Sequence, residues 1–131
     1  MTVKRLGDHP VHLGRAGAMT SEPRFTDMRW YADYAARHEA DGAEGRLVSE
    51  WTFTEDWQGW ERHPAGGELV VCLSGRLTLH QETADGSIVT TRLEAGDYAI
   101  NPPGVWHTAD VEGEARALFI TAGLGTENRP R

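Results

Sequence analysis

From Leu47 onward the chain breaks into short runs rich in Val, Leu, Ile, Thr and Trp, with Gly, Pro and Asp between them. The runs are Leu47–Phe53, Trp57–Arg62, Leu69–Leu73, Leu77–Gln81, Ile88–Leu93, Tyr98–Ile100, Val105–Val111 and Ala115–Thr121. Runs this short, repeating every ~8–12 residues with turn signals between, predict an all-β sandwich or barrel rather than βαβ units. Ser74-Gly75 and Asp85-Gly86 read as hairpin turns, because glycine adopts positive φ at little cost. Glu94 to Asp97 and Asn101 to Gly104 read as further tight reversals.

The first 24 residues show no sustained period and read as an extended arm. Thr26 or Asp27 is placed to cap a helix with Met28, Tyr31, Ala32, Ala35 and Ala36 on its packed face. Trp30 and Tyr34 flank that face and are expected to pack it onto the body of the protein, and Gly42 stands just beyond the helix. The expected organisation is therefore an arm and helical segment over residues 1–46, a barrel over 47–123 and a flexible polar tail over 124–131.

Composition narrows the class of function. The formal net charge of −7 argues against a nucleic-acid partner, since phosphate binding draws on Lys and Arg. It argues equally against docking on an anionic membrane. No run approaches the ~20 apolar residues of a membrane span, and the basic start Met1-Thr2-Val3-Lys4-Arg5 has no apolar block after it. The single cysteine, Cys72, has no internal partner, so a disulfide-stapled secreted scaffold is not expected. The expected setting is cytoplasmic. Nucleotide-binding glycine motifs and the Gly-x-Ser-x-Gly elbow are both missing from the chain.

Strand parity gathers the residues that carry chemistry. Residues two apart point to one side of a strand, so Glu61 and His63 share a face. The turn Pro64 to Gly67 brings Glu68 back beside them, and His107 follows the Pro103-Gly104 turn on a later strand. Imidazoles and carboxylates together suit a transition-metal ion. Two carboxylates turned into a barrel with no Lys or Arg facing them would repel each other, a cost that a divalent cation removes. Parity also places Trp57, Val70 and Cys72 toward the interior, as the apolar lining of a substrate pocket. His80 is read as a surface or supporting residue, and His9, His12 and His38 as structural or exposed. Trp51, Trp60 and Trp106 are read as core or dimer-packing residues.

These positions resemble the cupin superfamily. In the family's first motif a His-x-His is followed by three or four residues, Glu, six residues and Gly. Here His63, Glu68 and Gly75 keep that spacing. The second motif is matched by Gly96, Pro102, Gly104 and His107. Glu55 and Val111 replace the motif's outer Gly and Asn, and Glu61 stands where the first histidine is expected. The resemblance implies a jelly-roll, double-stranded β-helix barrel of the RmlC-like kind. It implies a divalent transition metal (Fe, Mn, Zn or Ni) on His63, Glu68 and His107, with Glu61 a fourth ligand or a catalytic acid or base. The expected function is a metal-dependent enzyme, of dioxygenase, isomerase or lyase type, acting on a small organic molecule. The alternative is a non-catalytic binding or sensing cupin with a structural metal or none. Exposed edge strands, the arm and five tryptophans point to a homodimer.

Overall fold

The computed structural model describes residues 2–131. Eleven strands and one α-helix follow the chain. The arm contributes β1 (Val11–Leu13) and β2 (Met19–Ser21), followed by helix α1 (Arg29–Arg37). Then come β3 (Arg46–Phe53), β4 (Gly59–Arg62), β5 (Glu68–Ser74), β6 (Arg76–Glu82) and β7 (Ile88–Glu94). The chain finishes with β8 (Tyr98–Asn101), β9 (His107–Val111), β10 (Ala115–Thr121) and β11 (Glu127–Pro130). They form two antiparallel sheets, one ordered β2-β1-β3-β10-β5-β8 and the other β11-β4-β9-β6-β7. This is the expected all-β jelly roll. Among the described residues no helix is long and apolar enough to cross a membrane.

Period-two alternation builds the core. Val70 and Cys72 on β5, Leu77 on β6, Leu93 on β7, Ala109 on β9, and Ala117 and Phe119 on β10 meet between the sheets. Fully burying a side chain such as Val70 or Leu77 is worth ~1.5–3 kcal/mol. The β5–β6 turn depends on Gly75, whose φ is +72° and where an added Cβ would lie 2.1 Å from the Glu114 carbonyl oxygen.

Three sequence expectations change. The tail is not loose: Glu127–Pro130 pairs antiparallel with Gly59–Arg62, and Arg62 binds Glu127 at 2.6 Å. The arm is part of the larger sheet, with β1 paired to β3 through His12 opposite Leu47. Helix α1 turns its aromatic stripe inward rather than its alanines, and Met28 is 77% exposed. Trp30 is the helix's buried residue, stacked on Tyr34, because aromatic rings remove far more apolar surface than methyl groups. The helix is capped by no side chain at Met28, although Asp27 accepts a hydrogen bond from the Arg29 backbone N–H.

The arm histidines are structural. His12 bonds Tyr34 through Nδ1 and Asp41 through Nε2, and His38 bonds the buried Glu22. His12, His38 and Asp41 are close enough to suggest a second ion site. However, the two imidazoles stack at 3.6 Å with planes 16° apart, which aims their in-plane lone pairs alongside one another rather than at a common point. This cluster is a polar clasp that fastens α1 to β1.

Candidate metal centre

Glu61 on β4 lies directly opposite His107 on β9. Glu68 opens β5, opposite Thr121 of β10 and Asn101 of β8. His63, just past β4, completes the group, so both sheets contribute. One ligand atom from each of Glu61, His63, Glu68 and His107 lies within 4.8 Å of the others. His63 Nε2 is 3.1 Å from Glu68 Oε2 and 3.5 Å from Glu61 Oε1. His107 Nε2 is 3.2 Å from Glu68 Oε1 and 3.4 Å from Glu61 Oε1.

The hydrogen bonds behind the ligands decide which atoms face inward. Thr126 gives its hydroxyl proton to the Gly123 carbonyl, so it accepts from His63 Nδ1 at 2.8 Å. His107 Nδ1 donates to the Val105 carbonyl at 3.2 Å. In both rings the Nδ1–H is thereby committed and Nε2 is directed at the centre, the arrangement of metal-binding imidazoles. Both Nε2 atoms are buried without a hydrogen-bond partner. Glu68 is held at each oxygen, by Asn101 Nδ2 at 3.0 Å and Thr121 Oγ1 at 2.6 Å. Asn101 is in turn held by Gln81.

Orphaned inward nitrogens, two facing carboxylates and separations of 3.1–3.5 Å fit donors placed ~2.0–2.2 Å from one shared ion. The site electrostatics point the same way. Burial opposes charge on His63 and His107, but Glu61 and Glu68 outweigh it and push both imidazoles up to about 9. Burial pushes Glu68 up, yet the two imidazoles hold it far below the usual carboxylate range. Glu61 is likewise drawn below its ordinary value, against burial, by His107 and His63. The centre is built to hold two positive charges against its two carboxylates.

Access is one-sided. The side chains of His63, Glu68 and His107 are 6%, 3% and 0% exposed, whereas that of Glu61 is 31% exposed. Glu61 lines a cavity of about 450 Å³ whose walls include Phe53, Trp57 and Trp60. Phe25, ahead of α1, packs edge-on to Trp51 and against Tyr31 of that helix. Burial and the Glu61 charge push the Tyr31 phenol up to about 12.

All four metal-ligating candidates come together. Of the pocket candidates, Trp57 lines the cavity and stands 6.1 Å, centroid to centroid, from the His107 ring. Val70 and Cys72 do not line it; they are fully buried in the core, because at their level Leu77, Ala117 and Phe119 fill the space. His80 holds Thr90 and Asp110 away from the centre. Trp60 and Trp106 are stacked by Arg129, and Trp60 also borders the cavity. Sequence reasoning missed Asn101, Thr121 and Thr126. Parity carried across β5, β8 and β10 points to the first two; nothing local marks Thr126.

The chain is thus a two-sheet jelly roll with an inward His and Glu cluster that could hold a metal ion. The family model described as Cupin domain matches residues 52–123, more than half of the chain, and the chain belongs to that family. No curated protein matches it. Among solved structures it resembles Peruvianin-I, a cysteine peptidase from Thevetia peruviana latex (21% identity, TM-score 0.55, 65% of this chain and 56% of that one). It also resembles an oxalate oxidase (17%, 0.55, 62% and 44%). A third likeness is to Bacillus subtilis oxalate decarboxylase, described with Mn(II) centres (16%, 0.57, 73% and 26%). The chain thus spans about half or less of the length of these structures, and at such identities the likeness is one of fold.

Proposed function

We propose that this cupin is a metal-dependent enzyme acting on a small organic molecule at the Glu61, His63, Glu68 and His107 centre. One observation carries the reading: three ligands are buried and pinned from behind, while the fourth faces a cavity. A divalent transition metal bound there (Fe, Mn, Zn or Ni) would act as a Lewis acid on an oxygen of the bound molecule. His63, Glu68 and His107 would hold it. Glu61 turns Oε1 inward, and its other oxygen is available to take a proton from the bound molecule and return it, the role of a general base. Dioxygenase, isomerase and lyase chemistry all suit such a centre.

Water relaxation on Mn²⁺-loaded protein tests this. An exchangeable water on the ion is expected, because a working site keeps a position open. A loaded protein with no such water would make the metal structural and favour the sensing role.

A homodimer is part of the proposal. On the outer face of the larger sheet Tyr98 and Ile100 are 64% and 58% exposed, and β8 is an edge strand of that sheet. A second copy would cover both. A cytoplasmic setting is proposed from the lone, buried Cys72.

A further inference from the structure

We propose that the mouth of this centre selects a planar molecule that is neutral or positively charged, and disfavours carboxylate anions such as the oxalate for which its structural neighbours are named. The inference rests on the metal-centre reading and concerns what that centre accepts.

The route is an open cleft on one side of the centre. Glu61 is the one ligand with substantial exposure, so a molecule reaching the centre passes through the cavity that Glu61 lines. Its walls are aromatic. Phe53 and Trp57 lie 5.5 Å apart, tilted by 43°, and Trp57 leads on to the His107 ring. A flat molecule sliding along Trp57 would keep stacking contact up to the ligands. The Trp57 indole N–H is buried without a partner, leaving one donor in the wall unused.

Charge sets the selection. The lining carries Glu55, Asp56 and Glu61 and no lysine or arginine. The Asp56 carboxylate is fixed there by the Val111 backbone N–H at 2.7 Å. The arginines nearby are committed elsewhere. Arg131 bonds the Trp57 and Ala109 carbonyls and pairs with Asp110. Arg129 pairs with Glu82 and stacks on Trp60 and Trp106, and Arg62 pairs with Glu127. A divalent ion is already balanced by Glu61 and Glu68. An incoming anion therefore meets Glu55 and Asp56 with no surplus positive charge to offset them.

The test compares nicotinamide with nicotinate, planar pyridines of nearly equal size that differ in charge, by calorimetry on Zn²⁺-loaded protein of measured metal content. Nicotinate has the more basic ring nitrogen, so simple coordination favours the acid. The expected result reverses that order: at ~0.01 M salt nicotinamide binds about threefold to tenfold more tightly. The gap should shrink in ~0.3 M salt and in Glu55→Gln, while Glu39→Gln, remote from the cavity, leaves it unchanged. Nicotinate binding as tightly as nicotinamide at low salt would overturn the inference. So would a fully loaded protein that binds neither, leaving the metal reading intact. A protein that takes up no zinc would instead sink the metal reading, and this inference with it.

Discussion

Chelating the metal should make the stability of this protein fall steeply as pH rises through neutrality. In the metal-free chain the two carboxylates are balanced only by protons on His63 and His107, whose affinities are raised from 6.5 to about 9. Each imidazole binds its proton more tightly folded than unfolded. The resulting stability is complete below about pH 6.5 and is lost as pH climbs to about 9. One such shift corresponds to about 3 kcal/mol. Because both rings draw on the same two carboxylates, the gains overlap, and a total loss of roughly 3–5 kcal/mol is expected. That is a large share of the ~5–15 kcal/mol that holds a domain together. Urea melts of EDTA-treated protein at pH 6, 7.5 and 9 measure it directly. Metal-loaded protein should lose little over the same range, since the ion replaces the protons. A metal-free stability that is flat or rising between pH 6 and 9 would refute the charge balance described for the centre.

Other outcomes follow from the same geometry. Zinc binding at pH 7 should release up to about two protons, read from calorimetry in buffers of different ionisation enthalpy, because His63 and His107 must both deprotonate. Thr121→Val removes the donor held 2.6 Å from Glu68 Oε2 and should weaken metal binding about 10-fold or more in a competition assay, with the fold retained. Gly75→Ala forces a Cβ to 2.1 Å from the Glu114 carbonyl at a φ of +72°, and should cost at least ~2 kcal/mol in a urea melt. Light scattering should show a dimer, and Ile100→Asp on the exposed face of β8 should convert it to monomer.

Much of the barrel was legible because its strands carry their own signals. β6 alternates apolar and polar positions just past Gly75, so its inner face follows from parity, whereas β5 is a continuous apolar run bounded by turn residues. The candidate ligands were legible from the spacing of His63, Glu68 and His107 in the cupin motifs, with Glu61 two residues before His63 on the same strand face. Depth inside the barrel was not legible. Parity sends Val70 and Cys72 inward just as it does Glu68, but it cannot show that core side chains fill the space around them. β11 escaped notice because Glu127-Asn128-Arg129-Pro130 has no apolar alternation. Its strand is held by pairing with β4 and by Arg129 against Trp60 and Trp106. Thr126 was lost with it, although it sets the His63 tautomer. On α1 the packing aromatics Trp30 and Tyr34 are legible, but the alanines expected beside them stay exposed, because the rings remove far more surface from water.

The metal content of the untagged protein tests the central claim most directly. After reconstitution under reducing conditions, elemental analysis should find about one divalent transition-metal ion per chain, and His63→Ala and His107→Ala should each abolish it. Glu61→Ala, which spares the three buried ligands, should keep a substantial share of the metal. Less than about a tenth of an equivalent in the unmodified protein would contradict the claim that these four side chains form a metal centre.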